Sequence, residues 1–347
     1  MPATLSRAFA LAASIFAATA VAPAAAQTPE EFFRGKTLTF IIGYGAGSGY
    51  DLYARLLARH YGKLIPGAPT IVSQNMPGAG SVQAANFLYE IAPKDGTHFG
   101  MIGRGTPMTP LLGGRGARFK DDKSFTWIGS LNNEVSVCAA WHTSGVKTIQ
   151  DAMTRELTTS ATSLGADDTT VFPSVLNAMI GTKFKWITGY PGGAAMNLAM
   201  ERGEAHGRCG WSWSSVKSTQ ANWLKEDKIS ILLQLSLDKH PDLPNVPSIM
   251  DFAKSEEQKR VLELIFARQV MGRPVLAPPG VPADRVKALR DAFDATMKDP
   301  GFLADADKGK WEINPVKGED IEKLMARIYA TPKAIVARAI EVTPQPK

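Results

Sequence analysis

The sequence predicts an α/β fold built on a parallel sheet. Between Leu38 and Tyr61 an apolar run passes through a glycine-rich loop into an amphipathic run. Two more strand–loop–helix successions follow before Pro107, and a chain of 347 residues is long enough for two domains. In the first unit Leu38, Phe40, Ile41 and Ile42 leave only Thr39 polar, as suits a strand covered on both faces. Leu52, Leu56 and Leu57, with Tyr53 and Tyr61, recur at helical spacing until Gly62 and Pro66 stop them. The loop between is Gly43-Tyr44-Gly45-Ala46-Gly47-Ser48-Gly49, whose glycines tolerate positive φ and close backbone approach. Such a loop aims free N–H groups and the positive end of a helix dipole at one spot, where an anion can bind.

The common anion motifs fail in this loop. The dinucleotide fingerprint needs a glycine where Ser48 or Tyr50 stands, and the phosphate loop needs a lysine that is absent. A nucleophile elbow fails because Ser48 has glycines directly on both sides. The alternative reading is a glycine-rich turn that binds nothing. Asp51 follows the loop, where a carboxylate inside an anion site would repel the ligand. N-capping the helix is its expected role, with acceptance of a ligand hydroxyl or ammonium bond as the alternative.

The N-terminus reads as a cleavable signal peptide, residues 1–26. Arg7 is followed by the apolar run Ala8–Ala22, Pro23 and the small-residue site Ala24-x-Ala26. The run is short and alanine-rich for a membrane anchor, so the expected location is the periplasm. Formal charge is +6, and removal of Arg7, the one charge in residues 1–26, leaves +5. Lysines and arginines are scattered rather than clustered, which argues against nucleic acid. The two cysteines, Cys138 and Cys209, sit in strand-like contexts that suit either a disulfide or buried thiols.

Along the chain, Thr70–Ser73 reads as a strand, Val82–Glu90 as a helix, and His98–Ile102 as a strand ending at Gly103-Arg104-Gly105-Thr106-Pro107. Val135–Trp141 is a strand, and a helix begins near Asp151. A polar strand, Thr158–Ser163, leads through Gly165-Ala166-Asp167-Asp168-Thr169-Thr170 into a helix at Val171–Ile180, one of the two aspartates serving as its cap. Lys185–Thr188 then reaches Gly189-Tyr190-Pro191-Gly192-Gly193 and the helix Ala194–Glu201. Amphipathic helices are expected at Asp284–Met297 and, as one piece, Gly318–Val336.

Enzyme signatures are weak. The five histidines show no metal-binding spacing and there is no CxxC pair, so no metal or cofactor is expected. Gly210-Trp211-Ser212-Trp213-Ser214 lacks the last glycine of an elbow. Arg104, at a strand end where α/β pockets open, could hold a carboxylate through two parallel bonds, or face solvent. Tyr44, Tyr50, Tyr190, Trp211 and Trp213 could wall a pocket for a flat or aromatic acid, though core packing explains each Trp equally well.

Seven pieces in order carry a resemblance: GYGAGSGYDLYAR, NMPGAG, APKDGTHFGMI, SFTWIGSLNNEVSVCAAW with VKTIQDAM, ITGYPGGAAMNLAMERGEAHG, HPDLPNVPSIMDFA, and LAPPGVPADRVKALRDAFDATMKDPGF. Together they span nearly the whole chain, which resembles the TctC or Bug substrate-binding receptors of tripartite tricarboxylate transporters. It departs from them at Gly43-Tyr44 and Gly47-Ser48-Gly49 in the first loop, and at Gly203-Glu204-Ala205-His206 and Gly210-Trp211 later. The resemblance implies a two-lobed periplasmic-binding-protein fold, each lobe a mostly parallel sheet flanked by helices, with a ligand cleft between the lobes. Lobe 1 would hold residues 27–131 and 247–347, and lobe 2 residues 132–246. The implied function is an extracytoplasmic receptor, monomeric and without a reaction, for a small carboxylate (a di- or tricarboxylate or an aromatic acid) passed to membrane transporter subunits. Candidate contacts are Tyr44, Gly45, Ala46, Gly47, Ser48, Gly49, Tyr50, Asp51, Arg104, Thr106, Ala166, Asp168, Thr169, Thr170, Tyr190 and Trp211. The alternatives are a secreted α/β hydrolase using Ser212 or Ser48, and a receptor feeding a sensor kinase.

Overall fold

A computed structural model of the chain describes residues 27–165 and 167–344. Residues 1–26, where a signal peptide is expected, Ala166 and residues 345–347 lie outside the described residues. Among the described residues, eleven strands form two sheets. The first contains β1 (Thr37–Ile42), β2 (Thr70–Asn75), β3 (His98–Met101), β4 (Thr126–Ser130), β10 (Pro274–Ala277) and β11 (Val316–Lys317), in the order β11-β4-β10-β3-β1-β2. The second contains β5 (Ser136–Trp141), β6 (Glu156–Ser160), β7 (Lys183–Ile187), β8 (Gly207–Ser212) and β9 (Ile229–Leu235), in the order β7-β6-β8-β5-β9.

The two-lobed α/β architecture is as expected, but the sheets are mixed rather than mostly parallel. β1 pairs parallel with β2 and β3, as the repeated strand–loop–helix units require, and β6 pairs parallel with β7 and β8. The other pairings are antiparallel. The reason in the first sheet is the path of the chain: β4 leaves toward the second lobe and β10 returns beside it, so the two run opposite ways.

The two crossings lie side by side and are bonded together. Leu131 N donates to Arg273 O at 3.2 Å, Gly272 N to Asn132 O at 2.9 Å, and Glu134 N to Gln269 O at 2.8 Å. Pro244–Ile249 is tied to the second sheet, where the Gln234 amide donates to Leu243 O and Val246 O. The next strand of the first sheet is β10.

Packing explains why β1 is apolar. Leu38, Phe40 and Ile42 are buried with Tyr53, Leu56, Leu57 and Tyr61 of the helix Gly49–Tyr61 and Leu289 and Phe293 of the helix Ala283–Thr296. Each side chain of this size contributes about 1.5–3 kcal/mol on burial. The C-terminal segment is two helices, Gly318–Tyr329 and Lys333–Val342, not one. Pro332 between them has no N–H to donate and disfavours helical backbone at the residue before it. No helix among the described residues is long and apolar enough to cross a membrane.

Cys138 and Cys209, on the paired strands β5 and β8, are bonded to each other. Denatured, unreduced protein is therefore expected to take up no iodoacetamide, and reduced protein to take up two. Label on the unreduced protein, read by mass spectrometry, would show free thiols instead.

Candidate functional site

The glycine-rich loop after β1 meets the second lobe across a narrow cleft. The helix begins at Gly49, two residues earlier than the sequence suggested, because Ser48 is its N-cap: extended (φ −71°, ψ 159°), with Oγ accepting from Asp51 N. Asp51 is thus not the cap. Its carboxylate reaches back to accept from Gly47 N at 2.9 Å, and from Arg55 Nε and Asn75 Nδ2, each at 2.8 Å. That geometry holds the loop rather than a ligand. The two lobes approach closely at Gly49, where a Cβ would lie 2.1 Å from Ser215 Oγ and would make that hydroxyl move.

Several loop donors are already used. Gly45 N donates to Pro191 O at 3.0 Å, closing the loop onto the second lobe, and Ser48 N donates to Gly45 O. With Gly47 committed to Asp51, three of the five amides from Gly45 to Gly49 are internal to the protein. The loop alone is a poorer anion cradle than its sequence suggests.

The second lobe presents the start of the helix Asp168–Ile180. Asp167 is its cap, accepting from Thr169 N at 2.9 Å, as expected of one of the two aspartates. Its other oxygen accepts from Tyr44 OH at 3.0 Å, a bond between lobes. Tyr44 stacks on Tyr50 with ring centroids 4.5 Å apart. Burial raises the Tyr44 pKa well above the ordinary tyrosine value, with Asp167 adding to the rise, so the hydroxyl stays a donor.

Arginines dominate the cleft. Arg104 Nε donates to Asp168 Oδ2 at 2.7 Å, and its Nη2 to Ser136 Oγ at 2.8 Å and Ser212 Oγ at 3.2 Å, so it spans the lobes. Burial opposes its charge, but Tyr50, Asp168 and Glu134 outweigh that and leave its pKa raised. Arg273 donates to the Oγ atoms of Ser212, Ser214 and Ser215, lies 3.3 Å from Glu134, and stacks on Tyr50 and Tyr53. Arg268 Nη1 meets Asp168 Oδ1 at 3.2 Å. Arg208 donates to Asn197 Oδ1 at 2.8 Å and lies on the Trp211 ring, 4.5 Å from its centroid. One N–H group each of Arg104 (Nη1), Arg208 (Nε) and Arg273 (Nε) is buried without a partner among the described residues, and all three side chains line the same cavity.

Of the candidates from sequence, Tyr44, Ser48, Gly49, Tyr50, Arg104, Asp168 and Thr169 line that cavity. Tyr190 walls a neighbouring cleft, and Trp211 lies beneath Arg208. Thr106 and Thr170 bond backbone oxygens of Gly80 and Ser163, Gly45, Ala46, Gly47 and Asp51 do not line the cavity, and Ala166 lies outside the described residues. Sequence reasoning missed Thr162, Asp167, Met196, Arg208, Ser215 and Arg273 as lining residues. The signal for Arg208 was an arginine inside an otherwise uncharged strand, Gly207–Ser212.

Other chemistry is less well supported. Ser212 Oγ accepts from Arg104 and Arg273, and Ser48 Oγ caps its helix; among the described residues no histidine is bonded to either. His240, Asp242 and Glu312 converge as metal ligands might, but the cation between the two carboxylates is the Lys217 ammonium.

No protein-family model matches the chain. The UPF0065 protein in the gbd 5′ region of Cupriavidus necator is 24% identical over 342 residues, 96% of this chain and 97% of that one. Rpa4515 of R. palustris, solved with adipate, superposes with a TM-score of 0.70 at 18% identity, over 90% of this chain and 99% of its own. The periplasmic binding protein BugD gives 0.68 at 18%, over 90% and 99%. MatC from Rhodopseudomonas palustris with bound malate gives 0.66 at 17%, over 88% and 98%. The structural neighbours are periplasmic binding proteins of the Bug and TctC kind, and this chain has their two-lobed fold.

Proposed function

We propose that the protein is a periplasmic solute receptor that closes its lobes on a small organic carboxylate and delivers it to a tripartite tricarboxylate-type transporter. The observation that carries this reading is the cavity between the lobes, where three buried arginines each hold an N–H group without an acceptor. Buried donors of that kind cost stability until an acceptor arrives, and a carboxylate supplies two oxygens with the matching charge. Adipate and malate in two proteins of the same fold support the ligand class. The transporter partner and the monomeric state are inferred from the same resemblance, and the cleavable signal from Arg7, the apolar run Ala8–Ala22 and Ala24-x-Ala26.

Nothing in the site favours hydrolysis, since neither candidate serine is bonded to a group that could accept its proton among the described residues. A thermal-shift screen of mono- and dicarboxylates, aliphatic and aromatic, tests the proposal. At a thousandfold excess over Kd a true ligand should stabilise the protein by about 4 kcal/mol. A screen in which no carboxylate moves the melting temperature would remove the proposal, and release of product from an ester would replace it with the hydrolase reading.

A further inference from the structure

The buried charges of the cleft do not balance. Arg104, Arg208, Arg268 and Arg273 are each less than a tenth exposed, as are Glu134, Asp167 and Asp168, so four cations face three anions once Asp51, a buried carboxylate already paired with Arg55, is set aside. Arg104 and Arg268 share Asp168, and Arg273 has Glu134. Arg208 meets neutral oxygens instead: Asn197 Oδ1 at 2.8 Å and Gly193 O at 3.4 Å. Its Nε–H is buried with no partner among the described residues, and its side chain lines the cavity. Burial lowers its pKa to about 9, against the pull of Asp167 and with Arg273 adding to the fall; at neutral pH it is still a cation.

Two further features meet at Arg208. The helix Gly193–Glu201 starts beside it, and Gly192 before that helix provides no side-chain cap for its first amides. Beyond Tyr44 and Thr162, which line both spaces, a second cleft of about 300 Å³ opens between the loops 77–81 and 189–191. Its walls include Pro77, Gly78, Tyr190 and Pro191, and no charged side chain lines it.

On the reading that this cleft is the receptor site, we infer that the ligand is a monoanion, with its carboxylate on Arg208 at the start of the Gly193 helix and an uncharged tail between Tyr44 and Tyr190. One carboxylate brings the buried charges to balance. A second would leave a net negative charge, and in the outer cleft it would find no cation to pair with. An unpaired buried charge is among the most costly features a site can hold. A simple monocarboxylate therefore suits the cleft better than the dicarboxylates of its structural neighbours.

Calorimetric titration of the purified protein with two matched pairs tests this: hexanoate against adipate, and benzoate against terephthalate. The expected result is that the monoacid of at least one pair binds, and binds at least about 30-fold more tightly than its diacid. Arg208→Met should weaken that monoacid by about 100-fold or more, Arg208→Lys by less. Because Arg208→Met removes an uncompensated buried cation, the melting temperature of the unliganded variant should be unchanged or higher, which loss of a merely structural arginine would not produce. Tighter binding of the diacids would overturn the inference and leave the receptor reading standing. Binding by none of the four acids would overturn both. Parent-like binding by Arg208→Met would overturn the assignment to Arg208, and if that variant fails to fold, the preference of the parent protein decides alone.

Discussion

Asp168→Asn is expected to destabilise the protein by about 3–5 kcal/mol. Asp168 is 8% exposed and its two oxygens meet two different arginines, Arg104 at 2.7 Å and Arg268 at 3.2 Å. Asparagine keeps the shape of the side chain but removes the charge that both guanidinium groups share, so each buried cation loses the carboxylate it is bonded to. Its amide also places N–H groups against donors that cannot accept. Denaturant unfolding of parent and variant measures the loss. The double variant Asp168→Asn/Arg104→Gln should lose less than the sum of the two single changes, by more than about 1 kcal/mol, because it deletes a pair instead of stranding one member. A loss below about 1 kcal/mol for Asp168→Asn would mean that water or rearrangement satisfies the arginines, and the charge network would not be what holds the lobes.

Arg104→Ala is expected to weaken carboxylate binding by about 2–5 kcal/mol, mainly through faster dissociation. Arg104 starts in the first lobe, just beyond β3, and its bonds end in the second, on Asp168, Ser136 and Ser212. It therefore joins the lobes, lines the cavity and holds an Nη1–H without a partner among the described residues. Both effects slow ligand escape, and alanine removes both. Surface-resonance kinetics with an acid identified by thermal shift would show the change in dissociation rate. Unchanged dissociation would reduce Arg104 to a structural partner of Asp168 and leave ligand contact to Arg208 and Arg273.

The local half of this protein was legible in its sequence. Apolar Leu38–Ile42, the glycine loop and the spacing of Leu52, Leu56 and Leu57 specify a buried strand turning into a helix, because period and backbone freedom are properties of neighbouring residues. The cap at Asp167 and the strand end at Arg104 were readable for the same reason. Ser48 as the first cap was legible too, in a residue type that caps helices well, but the charge of Asp51 drew attention away from it.

What only the tertiary structure decided is the chemistry between the lobes. Arg104 and Asp168 are 64 residues apart, Asp168 and Arg268 100, and nothing in the sequence around either arginine names Asp168 as its partner. Pattern in sequence reports which face of an element is covered, not which distant charge covers it. The antiparallel half of the first sheet escaped for a related reason: strand direction depends on where the chain re-enters after its excursion through the second lobe. The balance of four buried guanidinium groups against three carboxylates exists only once folding has brought these segments within a few ångströms. In water each charge would be solvated separately, and the count would carry no information about a ligand.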